Sequence, residues 1–226
     1  MDRPRQQDVY HVNRREDVLP HVPPQVRSVL DVGCASGGFG LSLRTVVQPG
    51  AHVVGVEAMG DPVAVARASG AYDEVVEGYF PDALAGRADR FELIAFLDVL
   101  EHMLDPGEAL DAAHDFLAPD GRILVSLPNV GYFPVVADLL RGRWDYTETG
   151  VLDRTHLRFY TRATMVELLA EHGYAVTTCV GINDGIQVWQ SDPLPPRRWL
   201  KLGLRHLMGD RRYMQFVLVA RSERAG

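Results

Sequence analysis

The sequence is poor in the residues that build disulfide frameworks, zinc sites and membrane-spanning segments. It contains only two cysteines, Cys34 and Cys179, which by themselves make neither a disulfide framework nor a zinc site. Its first residues are too polar for a signal peptide, and no apolar run has the length of a membrane helix. These absences predict a soluble, cytoplasmic protein without a membrane partner.

Basic residues are scarce relative to acidic ones. The chain has 23 lysines and arginines against 30 aspartates and glutamates, which gives a formal net charge of −7. This balance disfavours non-specific binding of nucleic acid, so we expect no nucleic-acid partner. With 226 residues and 46% hydrophobic content, the chain can form one domain with an ample core over residues 1–226.

The most informative feature that is present is a glycine-rich loop at 29–40, VLDVGCASGGFG. An apolar run that ends at Asp31 is followed by glycines that include Gly33 and Gly37, which predicts a strand, a tight turn and a helix. Loops of this kind bring backbone N–H groups close to a cofactor. Glu57 ends the next apolar run about 20 residues beyond Gly37, a spacing that suits an acid in reach of a ribose diol.

Strand and helix patterns alternate along the chain. This alternation predicts an α/β fold, a Rossmann-like and mostly parallel sheet with helices on both faces. The predicted strands lie at 28–32, 52–57, 74–76, 93–97, 122–127, 175–180 and 213–220, and the predicted helices at 39–47, 61–68, 106–116 and 162–172.

Two segments, 129–160 and 182–212, interrupt the alternation. Connections of this length often cover a binding site, so we interpret both as lid or acceptor segments. The second contains a short basic amphipathic stretch, which we expect to pack on the sheet edge rather than on a membrane. The first is rich in aromatic side chains that could line an acceptor pocket, although ordinary packing could explain at least half of them: Tyr132, Phe133, Trp144, Tyr146, Phe159 and Tyr160.

A cluster of chemically active residues follows the fourth predicted strand. If a helical turn begins there, Asp98, Glu101 and His102 lie at i, i+3 and i+4 and share one face. Three interpretations remain open at this point. His102 could be a general base, the three side chains could bind a metal ion, or Glu101 could simply orient His102 in a structural role.

Several segments resemble the motifs of the class I S-adenosylmethionine-dependent methyltransferases. The loop at 29–40 is similar to their first motif and VVGVE at 53–57 to their second, while 91–106 and 117–129 resemble their fourth-strand and fifth-strand motifs. GRWDYTETGVLDRTHLRFYTRATMVELL, which starts at residue 142, resembles a segment common among ubiquinone-type and tailoring O-methyltransferases. The resemblance implies a seven-stranded sheet whose last strand is antiparallel, and S-adenosylmethionine as cofactor.

The resemblance also implies roles for individual residues in the donor site. Tyr10 and Arg15 correspond to a lead-in that closes over the cofactor and clamps its carboxylate. Asp31 and the backbone from Gly33 to Gly37 are placed near the methionine portion, and Glu57 near the ribose. A further member of the predicted donor site is Asp98.

Two departures from the family pattern bear on this site. Ala35 stands where the loop usually has its middle glycine. The acid that often holds the adenine amine is replaced by Tyr79, so we expect adenine to be held by backbone groups and by stacking on Tyr79 or Phe80.

A second resemblance concerns metal binding. Small-RNA 2′-O-methyltransferases use an acid-x-x-Glu-His turn and a later histidine to hold a divalent ion, and Asp98, Glu101, His102 and His156 match that pattern. We weigh this set against a metal-free interpretation in which His102 and His156 are the catalytic pair, in acid–base or positioning roles.

The function predicted from the sequence is methyl transfer to a small-molecule acceptor, most plausibly O-methylation of a sugar or a natural-product intermediate. One alternative is a metal-dependent 2′-O-methyltransferase-like enzyme. Less favoured are a nicotinamide-dependent dehydrogenase, which shares the glycine loop and strand-end acid, and a non-catalytic nucleoside-binding module. The sequence leaves the oligomeric state open.

Overall fold

The structure is a computed structural model that describes residues 13–186, 203 and 205–224. Tyr10 and much of the segment 182–212 lie outside the described residues. Within the described residues, no helix combines the length and apolar character that crossing a bilayer requires.

A single seven-stranded sheet organises the described chain. Its strands are β1 (Ser28–Val32), β2 (His52–Glu57), β3 (Glu74–Glu77), β4 (Phe91–Leu97), β5 (Leu117–Pro128), β6 (Tyr174–Asp184) and β7 (Tyr213–Ser222). The spatial order is β3-β2-β1-β4-β5-β7-β6. The first five strands run parallel, and β7 is antiparallel to both of its neighbours. The predicted Rossmann-like sheet with an antiparallel last strand is therefore confirmed.

Helices cover both faces of the sheet. Side chains alternate between the two faces along each strand, so apolar side chains on each face need a covering layer. The helices are α1 (Gly38–Leu43), α2 (Gly60–Ala68), α3 (Pro106–Phe116), α4 (Phe133–Leu140) and α5 (Arg162–Glu171). In β1, Leu30 and Val32 belong to the core that also contains buried side chains of α3 and α5. Val29 belongs to the opposite core, beneath α1.

The boundaries of α3 follow from local chemistry. Pro106 occupies the first turn, where its missing N–H has no cost, and the side chain of Asp105 accepts a hydrogen bond from the Glu108 backbone N–H at 3.1 Å. The helix then buries Leu110 and Ala113 completely. The N-cap and the spacing of the buried apolar residues both indicate the same helix, and the predicted helix at 106–116 is confirmed.

Helix α4 is absent from the sequence-based prediction. It lies inside the segment 129–160, and none of its residues is buried. A surface helix is usually recognised in a sequence by an apolar stripe that packs on the core. Helix α4 buries no side chain in a core of the described residues, so this signal does not apply to it. Helix α1 is also shorter than predicted, since it ends at Leu43 and not at residue 47.

The strand ends define the part of the molecule that matters for function. The carboxyl ends of β1, β2, β4 and β5 lie along one edge of the sheet. The glycine-rich loop follows β1 there, Glu57 ends β2, and Asp98 follows β4. In open α/β sheets, ligands bind at this edge.

Candidate functional site

The loop after β1 has a backbone shape that requires glycine. Gly33 and Gly37 have φ angles of +75° and +88°, in the left-handed region that favours glycine. A Cβ atom on Gly33 would lie 2.6 Å from Cγ2 of Val99, so the loop also packs tightly against the residues after β4. Ala35 takes a φ of +45°, and the loop therefore keeps its turn at the position where the family usually has glycine.

Glu57 holds this loop from the end of β2. Its Oε2 accepts a hydrogen bond from the Ala35 backbone N–H at 2.8 Å, and its Oε1 accepts one from Met59 N–H at 2.9 Å. Each carboxylate oxygen retains a further lone pair that can accept a hydroxyl hydrogen. The structure thus brings Glu57 to the glycine loop, in a half-buried position open to a ribose.

Asp31 lies beneath the loop and is only 2% exposed. The Tyr72 hydroxyl donates a hydrogen bond to its Oδ2 at 2.6 Å. Burial raises the pKa of Asp31 to about 7, against the opposing effect of the Tyr72 hydrogen bond. The structure places Asp31 beneath the glycine-rich loop, with its carboxylate buried, and its predicted place near the methionine portion stays a prediction.

The two aromatic residues predicted for the adenine site have different surroundings. Phe80 is buried and packs edge-on against Phe96 at 5.8 Å and against Phe116 at 5.7 Å between ring centroids. Tyr79 is 74% exposed. Of the two rings, only that of Tyr79 is presented to solvent, while Phe80 packs into the core; stacking of adenine on either ring stays a prediction.

Arg15 lies at the carboxyl ends of β4 and β5 and is only 7% exposed. Its guanidinium forms an ion pair with Asp98, donates to Ser126 Oγ at 3.0 Å and pairs with Asp17 at 3.1 Å. Burial lowers the pKa of Arg15, but the carboxylates of Asp98 and Asp17 outweigh that effect and raise it. The carboxylate that Arg15 holds here is that of Asp98.

Asp98 has no carboxylate oxygen directed at the predicted catalytic turn. Its Oδ1 accepts from Ser126 Oγ at 2.7 Å and from Gln215 Nε2 at 3.0 Å, and its Oδ2 faces Arg15. Ser126 and Gln215 were missed from the sequence because they come from β5 and β7, far along the chain. Only the strand order brings them together.

Glu101, His102 and His156 form a compact cluster beside this network. One ligand-type atom from each lies within 4.8 Å of the others, and Glu101 Oε1 is 3.9 Å from His156 Nε2. Asp98 is outside the cluster, so the predicted shared face is wrong for that residue. The reason is local: Asp98 has a φ of +55°, and the helical turn is a short 3-10 turn over Leu100–His102.

Glu101 is the least expected member of the cluster. It is 1% exposed, and neither of its carboxylate oxygens accepts a hydrogen bond from another described residue. Burial, and then the charge of Asp98, raise the pKa of Glu101 well above its usual range. A carboxylate buried without donors is costly, so this position is suited to a proton or to a cation.

Each histidine has its Nδ1 atom beside a backbone carbonyl. The Nδ1 atom of His102 lies 3.2 Å from the carbonyl oxygen of Thr155, and that of His156 lies 3.1 Å from the carbonyl oxygen of Val151. A carbonyl oxygen only accepts, so each Nδ1 carries the hydrogen and each Nε2 keeps a lone pair. Burial lowers the pKa of His156, which favours this neutral form.

A cavity of about 310 Å³ opens over the cluster. Its wall includes Arg15, Asp98, Asn183 and Gln215 together with the lid residues 149–151. The six aromatic side chains predicted for an acceptor pocket are absent from the described wall. Trp144 packs on Phe159 at 5.2 Å between ring centroids instead, and Tyr160 is buried in the core.

Comparison with known proteins places this geometry in a family. A family profile described as "Methyltransferase domain" matches residues 7–178. The ubiquinone biosynthesis O-methyltransferase of Xylella fastidiosa (strain 9a5c) is 34% identical over 120 residues, which cover 51% of this chain and 48% of that protein. The enzyme of the same description from Azotobacter vinelandii is 26% identical over 196 residues, which cover 76% of this chain and 82% of that protein.

The fold has counterparts among solved structures. A SAM-dependent methyltransferase from Archaeoglobus fulgidus superimposes with a TM-score of 0.65 at 18% identity, covering 95% of this chain and 93% of that chain. The match to the Xylella protein spans only about half of that relative's length. The profile match, which extends over most of the chain, shows the family. The chain therefore belongs to the class I S-adenosylmethionine-dependent methyltransferases.

Proposed function

We propose that this protein is an S-adenosylmethionine-dependent O-methyltransferase that acts on a hydroxyl group of a small molecule. The observation that carries the proposal is the cluster of Glu101, His102 and His156 in the wall of a cavity at the carboxyl edge of the sheet. A hydroxyl acceptor must lose a proton during methyl transfer, and a neutral imidazole nitrogen is a suitable proton acceptor.

The donor fits the loop after β1. S-adenosylmethionine supplies an already activated methyl group, so the protein has mainly to align the reactants. The Gly33–Gly37 backbone offers a close approach, and Glu57 offers carboxylate lone pairs for ribose hydroxyls. Arg15 and Asp98 border the same cavity as the histidines.

The histidines then act on the acceptor side. With Nδ1–H donated to a carbonyl, the Nε2 atom of His156 or His102 can take the hydroxyl proton. Residues 149–151 of the predicted lid segment border the same space. Because the wall is rich in amide and charged groups, we infer a polar acceptor such as a sugar or a hydroxylated natural-product intermediate.

A second version of the mechanism has its own supporting observation. Glu101 has two buried oxygens without a hydrogen-bond donor among the described residues, and Nε2 of His156 lies 3.9 Å from one of them. One carboxylate and two imidazoles form a donor set that fits a divalent cation, and the carbonyl oxygens beside the two Nδ1 atoms would orient the imidazoles. Such an ion would polarise the acceptor hydroxyl and lower its pKa.

The experiment that tests the proposal begins with calorimetry of the purified protein. We expect binding of S-adenosylhomocysteine and none of NAD. Binding of NAD alone would favour the dehydrogenase, and binding without methyl transfer from labelled S-adenosylmethionine to any of a panel of sugars and phenols would favour the binding module.

Metal-binding and activity measurements on the same purified protein distinguish the two versions of the mechanism. If Glu101 and the histidines hold a cation, Mn²⁺ binds to the wild type, its binding is lost in Glu101→Gln, and a chelator abolishes methyl transfer. If the histidines act alone, Mn²⁺ does not bind at this site and methyl transfer survives the chelator.

A further inference from the structure

Tyr72 lies in a slot that three glycines leave open. A Cβ atom on Gly40 would lie 2.5 Å from the Tyr72 ring, and Cβ atoms on Gly37 and Gly55 would each lie 3.2 Å from it. These glycines come from three elements: the cofactor loop, α1 and β2. The ring therefore supports the underside of the loop that the donor occupies under the proposed function.

The phenol end of Tyr72 reaches the carboxylate of Asp31. This hydrogen bond of 2.6 Å favours the ionised form of the buried carboxylate. Other groups that act on Asp31 are the Glu57 carboxylate, which opposes ionisation, and the more distant Arg15 guanidinium, which favours it. The thiol of Cys34 lies in the same pocket, where burial raises its pKa and keeps it neutral.

We propose that Tyr72 is a positioning residue of the donor site, whose hydrogen bond favours the negatively charged form of Asp31 beneath the loop, which attracts the cationic sulfonium of S-adenosylmethionine. The inference rests on the proposed function, since it concerns the same donor. Within a water-poor interior, a carboxylate at the end of β1 attracts a cation bound above it more strongly than it would in water. S-adenosylhomocysteine has no sulfonium charge and gains less from Asp31.

The test uses Tyr72→Phe, which removes the oxygen and keeps the ring in its slot. Without its donor, Asp31 ionises at higher pH, so at pH 7.0 we expect S-adenosylmethionine to bind about tenfold more weakly than to the wild type. At pH 9.0 Asp31 is ionised in the wild type and in Tyr72→Phe, and the difference in affinity between the two proteins shrinks to about twofold or less. The loss of affinity for S-adenosylhomocysteine is smaller than that for S-adenosylmethionine at every pH. Calorimetry from pH 6.5 to 9.0 measures all four combinations of protein and ligand.

A matched control removes a second buried phenol. The Tyr174 hydroxyl donates to the Leu110 carbonyl at 2.8 Å in the other core, so Tyr174→Phe should keep the wild-type affinity and pH profile. A Tyr72→Phe protein with wild-type affinity, or with the same loss at every pH, would overturn the inference.

A second variant covers the case in which Tyr72→Phe does not fold. Asp31→Asn still accepts the phenol hydrogen but carries no charge, so its affinity for S-adenosylmethionine should be low and independent of pH. Retention of the wild-type pH profile in Asp31→Asn would equally overturn the inference. Failure of the wild type to bind either ligand would instead defeat the proposed function.

Discussion

At the scale of single residues, the two histidines of the cluster carry the chemistry of the proposed reaction. His156 is 8% exposed, and its ring lies 4.8 Å from that of His102 between centroids, so the pair shares one side of the cavity. Neither ring belongs to the glycine-rich loop, which the proposed function assigns to the donor. Changes to these rings should therefore affect turnover and donor affinity to very different extents.

Replacement of His156 by alanine tests that separation. We expect kcat to fall by about 10²–10⁴-fold, the range for loss of a general base, while the affinity for S-adenosylhomocysteine stays unchanged. Steady-state kinetics and calorimetry measure the two quantities, with the exposed His52→Ala, at the start of β2, as the control. A fully active His156→Ala protein would show that this histidine is structural.

Asp31 should impose a pH dependence on stability. Its pKa is raised in the folded protein from 3.8 to about 7, so the stabilisation from its bound proton is complete below about pH 3.8 and is lost as pH rises through 7. We expect the free energy of unfolding of Asp31→Asn to fall less than that of the wild type between pH 5.5 and 8.5. Urea titrations at several pH values, with the exposed Asp61→Asn as control, make the comparison. Parallel curves for wild type and Asp31→Asn would contradict it.

At the scale of elements, the sequence predicts best where a local signal agrees with the final packing. The bounds of β1 and β2 match the prediction, since short apolar runs with clear ends can only be buried strands in this setting. Strand β5 begins earlier than predicted, at Leu117, because Leu117 pairs with Phe91 of β4; the register then shifts before the next pair, Leu93 with Arg122. Sheet pairing is a long-range property that a local sequence signal does not contain.

The cap of α3 offers a test at this scale. Asp105→Ala removes the side chain that accepts the Glu108 N–H, and we expect unfolding to become about 1 kcal/mol easier, within the 0.5–2 kcal/mol usual for an N-cap. Urea denaturation measures the change. Asp115→Ala, an exposed acid in the last turn, should leave stability unchanged or raise it slightly. Equal effects of both substitutions would argue against the capping role.

At the scale of the whole molecule, the sequence predicts which edge of the sheet holds the site but not the contacts between the residues of the site. The glycine loop and Glu57 are adjacent to their strands, so their positions follow from the strand pattern. The contacts of Asp98 with Arg15 and Gln215 join three distant parts of the chain. The hydrogen bond between Tyr72 and Asp31 likewise joins residues that are far apart in sequence. None of these contacts can be predicted from the sequence around either residue.

Protection of backbone amides should be distributed unevenly over the molecule. Helix α5 buries Met165 and Leu169 almost completely and has a capping box at Thr161, whereas α4 buries no residue. We expect amides of α4 to exchange with solvent much faster than those of α5 or of the central strands β1 and β4. Hydrogen exchange measured by mass spectrometry resolves these segments. Equal protection of α4 and α5 would mean that α4 is covered in solution.

The place of β7 between β5 and β6 has a consequence for how the chain is made. Strand β6 is joined to the sheet through β7, yet the ribosome synthesises β6 first. Until the residues from Tyr213 onward emerge, β5 keeps an open hydrogen-bonding edge and β6 has no neighbour to pair with. The parallel half with the glycine-rich loop can assemble during translation, while the part of the cavity wall that contains Gln215 must wait for the antiparallel strand.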